Sequence, residues 1–571
     1  LKTSVTAANN SSNSLTLFNG KIILMIPSNI TSILDSFSKK TAQPTQSTPL
    51  TRPVVPSSDA VFRFLSYYFD RSTRIASFVY QGIDNVIFTE KIYFAPKPGS
   101  ETSIFNILDD PELNQLLDQA MFLAFILIGT SYYKAHPTAN IRLDRPLDDF
   151  QARFFSTVYQ EGLSQYAFEN RLDRSKLATF RATNGFQNKP AVNYRGNGIL
   201  ALQSGGKDSL LVAELLNERS ISFTPWYISS SPDHSHPNVI DHLDDNFNHQ
   251  KASIVYRQID RQHLQLSGGL NGHVPVTFIV ESLAIIQAIL NHQNIIMTSI
   301  GREGEEPHAM IGDLPVNHQW SKTWQAEQLM TEYINRYLSP DLHVGSPIRH
   351  LSELRVADLF VQKCWQKYGY SFSSCNEANY KQNNHNSTLK WCGHCPKCAN
   401  SYLLFCPFIP PQYLQSLFND VDLFLDPNLT KTFKGLLGVG GEMKPFECVG
   451  STEELRAAYH HRMTVPPIAI PQNPQIKNSP VTYWQPVYAN LPFSVPLSNF
   501  NYLAESENQE YFKNFFENYN KRPTEQDEAF LTPSELQQQN NQKADRVLAM
   551  IERRKQLEKL RRSSKQRQRD F

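Results

Sequence analysis

One stretch decides the fold of this chain: Leu202-Gln203-Ser204-Gly205-Gly206-Lys207-Asp208-Ser209. Apolar residues 198–201 precede it and mostly apolar residues 210–216 follow it, an order that predicts a buried strand, a glycine loop and a helix. The two glycines allow a tight turn whose backbone N–H groups can approach an anion. Because the N-terminus of the following helix also favours negative charge, the stretch predicts a phosphate-binding loop.

The composition of the whole chain bears on its partners. Its 571 residues predict more than one domain. Its 55 basic residues balance its 54 acidic ones, so the net charge does not indicate binding to nucleic acid or to a membrane surface. The longest apolar run, 120–128, is shorter than the ~18 residues of a membrane helix and predicts a buried core helix. No signal peptide is predicted, and the seven cysteines suit a reducing compartment and a metal site. We therefore predict a cytoplasmic protein.

The composition also divides the chain into four segments. Residues 1–58 are rich in Ser, Thr, Asn and Pro and predict a poorly ordered lead. Residues 59–190 predict a small α+β domain with an antiparallel meander. Strands and helices alternate over 191–462, which predicts an α/β fold with a doubly wound parallel sheet. Residues 463–571 form a polar extension that ends in a basic helix or a disordered tail.

The predicted elements place the glycine loop within the parallel sheet. Meander strands are expected at 61–69, 75–80 and 86–94, and the helices that follow at about 112–134 and 147–168. Parallel strands are expected at 199–202, 222–228, 252–257 and 294–299, and a long apolar helix at about 275–291. Ligands of such sheets bind at the carboxyl ends of the strands, and the glycine loop follows one of those ends.

A cluster of cysteines predicts a metal site. Three thiols lie at C-x-x-C-x-x-C spacing: Cys392, Cys395 and Cys398. A closed tetrahedral site needs a fourth ligand, for which we favour Cys375, with Cys406 and His394 as alternatives. Zinc is preferred to an iron–sulfur cluster because the chemistry indicated here needs no electrons, although the spacing alone does not exclude a cluster. A full set of sulfur ligands leaves no open position, so the predicted role is structural.

The basic end of the chain, residues 543–571, holds eleven basic and four acidic residues. It predicts either a solvated helix or a tail that binds nucleic acid or a partner. We favour the solvated helix. The near-neutral total charge gives nucleic-acid binding little support.

Further short motifs lie in order along residues 59–462. They are Phe62-Arg63-Phe64, Ser131-Tyr132-Tyr133-Lys134, Gly272-His273-Val274-Pro275-Val276-Thr277, Val316-Asn317-His318-Gln319-Trp320-Ser321-Lys322, Arg349-His350-Leu351-Ser352-Glu353-Leu354, Ser374-Cys375-Asn376, Trp391-Cys392-Gly393-His394-Cys395-Pro396-Lys397-Cys398 and Lys444-Pro445-Phe446-Glu447-Cys448-Val449-Gly450. The glycine loop resembles that of the PP-loop ATP pyrophosphatases, and its combination with a late four-cysteine zinc site is similar to relatives of 7-cyano-7-deazaguanine synthase. The whole ordered set resembles more closely the family of UDP-N-acetyl-α-D-muramoyl-L-alanyl-L-glutamate epimerases.

This resemblance implies an ATP-dependent reaction. The terminal L-Glu of UDP-MurNAc-L-Ala-L-Glu would be converted to D-Glu through adenylation of its carboxylate and exchange of its α-proton, with release of AMP and pyrophosphate. The implied cofactors are ATP, Mg²⁺ and a structural Zn²⁺. The implied partners are the UDP-MurNAc-dipeptide substrate and, as a candidate, a Mur ligase acting upstream, with no membrane partner.

The resemblance also assigns roles to the loop. It implies that five residues bind the β- and γ-phosphates of ATP: Ser204, Gly205, Gly206, Lys207 and Ser209. Asp208 either helps to hold Mg²⁺ or acts only as a carboxylate at the helix N-terminus.

Substrate and proton-transfer residues are predicted farther along the chain. A polar and aromatic substrate wall is expected from Asn317, Trp320 and Ser321, and Arg349 and Lys322 are expected to bind the glutamate carboxylate or the diphosphate. The acid/base remains open between His273, His318 and Lys322, and Cys448 can also carry a proton.

Two other classes of protein are weighed against this prediction. One is another PP-loop enzyme that adenylates its substrate, such as an enzyme of deazaguanine synthesis or tRNA modification. The aromatic amino-terminal domain and residues 316–322 argue against this class. The other is a nucleotide- or RNA-binding protein without turnover, which the balanced charge does not favour.

Overall fold

A computed structural model of the chain describes residues 17–18, 21–22, 60–96, 110–230, 237, 239–240, 252–311, 314–349, 351–381 and 388–464. Two short strands, β1 (Leu17–Phe18) and β2 (Lys21–Ile22), pair antiparallel. Apart from these strands, the predicted lead 1–58 lies outside the described residues, as does the predicted basic end 543–571.

The other described strands form one large sheet and a small hairpin. The sheet contains β3 (Phe62–Asp70), β4 (Ile75–Gln81), β5 (Ile87–Phe94), β6 (Ile141–Leu143), β7 (Ile199–Leu202), β8 (Thr224–Ser229), β9 (Ser253–Gln258), β10 (Ile295–Met297) and β13 (His343–Gly345). The hairpin contains β11 (Ala309–Ile311) and β12 (Leu314–Val316). The order in the sheet is β13-β10-β7-β8-β9-β5-β4-β3-β6. The protein is therefore an α/β protein with a large mixed sheet.

The five strands from β13 to β9 are parallel. From β7 the chain adds β8 and β9 on one side, and then β10 and β13 on the other. The strand order thus reverses between β7 and β10, and the segments after β7, β10 and β13 emerge at the same edge of the sheet. A reversal of this kind opens a crevice at the carboxyl ends of the strands, where ligands bind in such sheets.

The predicted meander of β3, β4 and β5 is confirmed, but it does not form a separate sheet. β5 pairs antiparallel with β9, so the meander extends the parallel strands. This pairing covers an edge of β9 that would otherwise expose free backbone groups. The sheet runs across residues 190–191, where we placed a domain boundary; that boundary stays a prediction.

Within the described residues the α-helices, in chain order, are α1 (Pro111–Tyr133), α2 (Asp149–Glu161), α3 (Ser164–Glu169), α4 (Lys207–Glu218), α5 (Arg261–Ser267), α6 (Val276–Leu290), α7 (Trp324–Tyr333), α8 (Glu353–Lys363), α9 (Trp365–Tyr368), α10 (Pro396–Phe405), α11 (Pro411–Ser416), α12 (Thr430–Leu437) and α13 (Thr452–Thr464). They cover both faces of the sheet. Leu200 of β7 packs in one core cluster with α1 and α6, and its neighbours Ile199 and Ala201 pack in another with α4 and α8. This division follows from the alternation of side chains along a strand.

The apolar run 120–128 lies within α1 and is buried, as predicted. The helix is longer than the run because Asp110 caps it by accepting from Glu112 N at 2.8 Å, and because Pro111 suits its first turn. By length and composition α1 could cross a membrane, but 78% of its most apolar window is buried inside the molecule. α1 packs along α6 as a core helix.

Candidate active site and metal centre

The glycine loop after β7 is shaped by its own residues. Gly205 has a φ of 75°, in the left-handed region, and Gly206 caps α4 with a φ of −86°. The Ser209 hydroxyl donates to Gly206 O at 3.2 Å and accepts from Ser204 N at 3.4 Å. Ser209 therefore holds the loop against the first turn of α4, while Ser204 is exposed.

Gly205 lies where a side chain does not fit. A Cβ at this position would be 2.4 Å from Leu389 Cδ1 and 2.9 Å from Val239 Cγ1. We expect Gly205→Ala to lower the free energy of unfolding by about 1–3 kcal/mol, because positive φ costs an L-residue about 1–2 kcal/mol and the neighbours must also move. Denaturant titration measures this. The control is Gly206→Ala, whose Cβ would be 3.6 Å from the nearest atom. An equal decrease in the free energy of unfolding of the two variants would contradict the prediction.

Lys207 forms an internal ion pair. Its Nζ is 2.8 Å from Asp208 Oδ1 and 2.6 Å from Glu353 Oε2, and its side chain is buried. Burial alone would lower the pKa of Lys207, but the two carboxylates outweigh burial and raise it. The pair links the start of α4 to the start of α8. The phosphate contact expected of Lys207 stays a prediction.

A second ion pair lies close to the first. Lys322 Nζ is 3.2 Å from Glu303 Oε1, and Glu303 follows β10 in the chain. The other carboxylate oxygen, Glu303 Oε2, is buried and has no hydrogen-bond partner within the described part of the chain. Asp208 and Glu353 also act electrostatically on Lys322. The segments after β7, β10 and β13 thus meet around two lysines.

Buried carboxylates are in excess at this edge of the sheet. Burial, and then the charges of Asp208 and Glu303, raise the pKa of Glu353 to about 7 against the opposing effect of Lys207. Burial, and then Glu353, raise the pKa of Glu454 to about 8. Carboxyl groups in this situation keep a proton or accept a cation.

Glu454 allows a test of this excess. Its pKa rises from 4.5 to about 8 on folding, so the folded protein keeps a proton that the unfolded chain releases, and stability falls as the pH rises through this window. Glu454→Gln does not ionise. Relative to wild type, its melting temperature should therefore increase by about 2–4 °C between pH 5.5 and pH 8.5. Calorimetry at both pH values measures the difference, with the exposed neighbour Glu453→Gln as control. A pH response shared by both variants would contradict the prediction.

Residues 316–322 pack against the segment that follows β10. Asn317 Nδ2 donates to Gly304 O at 2.7 Å, and Gln319 Nε2 donates to Glu303 O at 2.9 Å. A Cβ on Gly304 would be 2.8 Å from the carbonyl carbon of Lys322, so the two backbones are in close contact. These contacts position Lys322 beside Glu303.

The expected substrate wall is largely buried. Trp320 packs against Phe278, with ring centroids 5.5 Å apart, and Asn317 and Ser321 are also buried. Trp320 therefore belongs to the core beneath the site. Direct substrate contacts of Asn317, Trp320 and Ser321 stay predictions.

Arg349 is enclosed by other residues. Its Nε is 2.8 Å from Glu327 Oε2, and its Nη1 donates to Gly301 O at 3.0 Å and to Lys322 O at 2.7 Å. The guanidinium therefore fixes the backbone of Lys322, and its expected contact with substrate stays a prediction. Sequence reasoning missed Glu327; the only available signal was that a buried arginine requires a carboxylate partner.

Three histidines lie together beside Lys322. The rings of His273 and His318 are 4.2 Å apart, and those of His308 and His318 are 5.7 Å apart. Burial lowers the pKa of His318 to about 4 and that of His308 to about 3, and it lowers the pKa of His273 well below its usual range. All three are neutral at pH 7 and can accept a proton only at considerable cost. The structure brings His273 and His318 together with Lys322, and it adds His308, which the sequence analysis did not single out.

Lys134 adjoins this histidine cluster. Its Nζ donates to Gly272 O at 3.0 Å, next to His273. Burial, and then Arg257, lower the pKa of Lys134 to about 8. An amine with such a pKa is partly neutral near physiological pH and can exchange protons. It lies in the Ser131–Lys134 motif, but the sequence analysis assigned no role to it.

Four cysteines come together: Cys375, Cys392, Cys395 and Cys398. Sulfur separations are 3.7 Å for Cys375–Cys395, 3.7 Å for Cys392–Cys398 and 3.6 Å for Cys395–Cys398. Ligands about 2.3 Å from a tetrahedral zinc ion lie about 3.8 Å apart, so the spacing fits zinc. The alternative ligands face elsewhere: Cys406 Sγ contacts Ala458 O at 3.8 Å, and His394 Nδ1 contacts Cys392 O at 2.9 Å. The four cysteines can hold a metal ion.

The cysteine cluster touches the glycine loop. Ser373 N donates to Gly205 O at 3.2 Å, and Ser373 lies two residues before Cys375 of the cluster. Ser374 Oγ would be 3.8 Å from a Cβ on Gly206, and Leu389 packs over Gly205. A metal at the cluster would therefore stabilise the segments that shape the loop.

These features define a class of protein: an α/β protein with a glycine loop where the strand order of the parallel sheet reverses, beside four cysteines that can hold a metal ion. The family can be named more closely. Residues 55–346 match the family model described as the MurL N-terminal domain, and residues 371–469 match the MurL C-terminal domain. The chain belongs to the MurL family.

Three relatives carry the name UDP-N-acetyl-alpha-D-muramoyl-L-alanyl-L-glutamate epimerase. The Micromonospora sp. protein is 31% identical over 399 residues, which are 69% of this chain and 84% of the relative. The Xanthomonas oryzae pv. oryzae protein is 31% identical over 410 residues, which are 70% of this chain and 85% of the relative. The Salinispora tropica protein is 31% identical over 399 residues, which are 69% of this chain and 82% of the relative. The family resemblance seen in the sequence is thereby confirmed.

Proposed function

We propose that this protein is an ATP-dependent epimerase that converts the terminal L-Glu of UDP-MurNAc-L-Ala-L-Glu to D-Glu in peptidoglycan precursor synthesis. The observation that carries the proposal is membership of a family whose relatives, matched over more than four-fifths of their length, bear the name of this epimerase. The glycine loop at the switch point supports the ATP-dependent part, because backbone N–H groups at a helix N-terminus suit phosphate groups.

ATP would solve the chemical difficulty of this epimerisation. The α-proton beside a free carboxylate is very weakly acidic, because its removal places a second negative charge next to the first. Adenylation of the carboxylate removes that charge and allows the α-carbanion to delocalise as an enolate. Return of a proton to the opposite face inverts the centre, and hydrolysis releases D-Glu and AMP. The proposed fold is accordingly that of a doubly wound PP-loop ATP pyrophosphatase.

The chain offers groups for each part of this reaction. We propose that the loop Ser204–Ser209 holds the β- and γ-phosphates, with Asp208 and Glu303 as the carboxylates that would hold Mg²⁺. The buried Glu303 Oε2, which has no hydrogen-bond partner within the described residues, fits that assignment. Bound Mg²⁺ would neutralise charge on the leaving pyrophosphate. Lys322 is positioned to stabilise negative charge near the reacting carboxylate.

The histidines His273 and His318 are proposed to take part in proton transfer. Both imidazoles are neutral at pH 7, as a base must be before it accepts a proton, but their lowered pKa makes them weak bases unless a bound substrate raises it. Lys322 stays a candidate, but it is an ammonium in the structure because Cys448 and then the nearby carboxylates raise its pKa against burial. It therefore suits charge stabilisation better than proton abstraction.

Zinc is the proposed metal of the four-cysteine cluster, and its proposed role is structural. The sulfur spacing and the absence of a fifth donor among the described residues of the cluster support a closed site. None of the seven cysteines forms a disulfide, which supports the proposed cytoplasmic location. A Mur ligase that adds L-Glu to the nucleotide precursor is the proposed upstream partner.

The proposal is tested by incubating the full chain with ATP, Mg²⁺ and UDP-MurNAc-L-Ala-L-Glu. Glutamate released by acid hydrolysis is then analysed on a chiral column, and AMP and pyrophosphate are assayed alongside. We expect D-Glu that depends on ATP, with AMP and pyrophosphate formed together. Reactions without ATP, and with UDP-MurNAc-L-Ala as substrate, are the controls. AMP without D-Glu would favour another adenylating enzyme, and no product of either kind would favour the non-catalytic alternative.

A further inference from the structure

Gln165 connects a carboxylate to a histidine of the site. Its Oε1 lies 2.6 Å from Nδ1 of His318, and its Nε2 donates to Glu169 Oε1 at 3.0 Å. Gln165 and Glu169 are four residues apart in α3, so their side chains lie on the same face of that helix. The three groups form a chain of hydrogen bonds that runs from a carboxylate through an amide to an imidazole.

This chain of hydrogen bonds decides which way the amide of Gln165 is turned. A reversed amide would place its oxygen against the carboxylate of Glu169, and two acceptors cannot share a hydrogen bond. The amide oxygen therefore faces His318. Because an amide oxygen only accepts hydrogen bonds, the proton of the neutral imidazole lies on Nδ1, and Nε2 carries the lone pair.

The Nε2 atom of His318 is the nitrogen that a substrate can use. It has no hydrogen-bond partner within the described part of the chain, and the side chain is half-buried. His308, by contrast, uses both ring nitrogens: its Nδ1 accepts from His318 N at 3.4 Å, and its Nε2 donates to Glu447 O at 2.9 Å. Of these two neighbouring histidines, His318 is therefore the one suited to accept a proton.

Two further features support this role. Ser164 Oγ, at the start of α3, accepts from Asn317 N at 3.3 Å, so the helix is attached to the backbone directly before His318. Burial lowers the pKa of His318, and the charges of Glu447 and Glu169 oppose that effect. The carboxylate behind the amide thus favours the imidazolium that forms when Nε2 accepts a proton.

We propose that Gln165 is a positioning residue that holds His318 in the tautomer with an unprotonated Nε2, and that Nε2 accepts the α-proton of the substrate glutamate. This inference rests on the epimerase function proposed above. In this step the Cα–H bond of the acyl adenylate breaks, an N–H bond forms at Nε2, and the electron pair moves into the enolate of the activated acyl group. The Nδ1–H group continues to donate to Gln165 Oε1, now as a charge-assisted hydrogen bond. Water supplies a proton to the opposite face of Cα, and His318 returns its proton to solvent.

The test compares proton transfer with adenylation in Gln165→Leu, which keeps the approximate size of the side chain but cannot accept from Nδ1–H. Deuterium incorporation at Cα in D₂O reports proton transfer, and exchange of labelled pyrophosphate into ATP reports adenylation. We expect deuterium incorporation to fall at least about 10-fold, a part of the roughly 100–10,000-fold that a general base contributes, and pyrophosphate exchange to stay within about threefold of wild type. The control is Gln160→Leu, whose amide donates to Thr179 Oγ1 at 3.3 Å and lies outside this chain of hydrogen bonds; it should retain both activities.

A reciprocal exchange distinguishes positioning from packing. In Gln165→Glu combined with Glu169→Gln, the amide and the carboxylate change places, so a carboxylate oxygen can still accept from Nδ1–H of His318. We expect this variant to recover most of the deuterium incorporation that Gln165→Leu loses. Nitrogen NMR of protein labelled with nitrogen-15 histidine reports the tautomer directly, and His318→Gln identifies the signals. Wild type and the reciprocal variant should carry a proton on Nδ1, and Gln165→Leu should lose this preference.

Each other outcome has a distinct meaning. A proton on Nε2 of His318 in the wild-type protein would overturn the proposal, whether or not the variants fold. So would a decrease in deuterium incorporation of less than about 10-fold in Gln165→Leu, an equal loss of pyrophosphate exchange, or a folded reciprocal variant that recovers nothing. If wild type exchanges pyrophosphate but incorporates no deuterium, the proposed function fails, and the nitrogen signals still decide whether Gln165 sets the tautomer of His318.

Discussion

Replacement of Lys322 by methionine is expected to lower the rate of D-Glu formation at least about 100-fold. Lys322 is a partly buried cation whose Nζ lies 3.2 Å from the buried Glu303 carboxylate, and methionine keeps its length but removes its charge. Removing one partner of a buried pair costs about 3–5 kcal/mol of stability, because the remaining carboxylate is left uncompensated. The measurements are chiral analysis of glutamate for activity and denaturant titration for stability.

A double variant tests whether the loss of activity is only a consequence of the loss of stability. Lys322→Met combined with Glu303→Gln removes both charges, so much of the lost stability should return while the activity stays low. Lys363→Met is the control, because Lys363 pairs with Glu218 near the surface, where ion pairs contribute about 0–1 kcal/mol. Recovery of activity together with stability would contradict a role for the Lys322 charge in the reaction.

Loss of the metal centre is expected to have the second large effect. Cys398→Ser, or removal of the metal by a chelator, should lower the melting temperature by about 10 °C. Loss of a structural metal lowers the free energy of unfolding by several kcal/mol, and each kcal/mol corresponds to about 2–4 °C. Nucleotide binding should weaken as well, because Ser373 N holds Gly205 O at 3.2 Å close to the ligand Cys375. Metal analysis, calorimetry and ATP titration measure the three quantities.

Cys406→Ser is the matched control for the metal prediction. Cys406 is a buried thiol in the same part of the chain, but its sulfur contacts Ala458 O and not the cluster. We expect it to keep its metal and its affinity for ATP. The prediction of a structural metal at the four cysteines would be refuted if Cys398→Ser had the same melting temperature as Cys406→Ser, or if it contained as much metal as the wild-type protein.

Several parts of the fold could be predicted because their causes are local. The meander strands follow from alternating aromatic and β-branched residues, and α1 and α6 follow from long apolar runs. The joining of the meander to the parallel strands could not be predicted in this way. It depends on β5 pairing with β9, and Lys91 and its partner Gln258 are far apart in the chain.

The candidate site shows the same division. Cys392, Cys395 and Cys398 are recognisable by spacing alone, because a metal knuckle is built within eight residues of sequence. The choice of Cys375 over Cys406 required the fold. Likewise, a lysine in a glycine loop suggests a phosphate contact, whereas the structure pairs Lys207 with Glu353, 146 residues away.

The sequence by itself determined the glycine loop, its place between a strand and a helix, the cysteine knuckle and the family to which the chain belongs. The loop and the knuckle are each contained in a short segment whose residue types dictate its turn, its periodicity or its ligand chemistry, and the family is indicated by the order of such segments along the chain. Only the tertiary structure decided which charges face one another: the ion pairs of Lys207 and Lys322, the enclosure of Arg349 and the neutral histidine cluster. The physical reason is that burial and pairing depend on where distant segments pack, and the reversal of strand order between β7 and β10 brings those segments to one edge of the sheet.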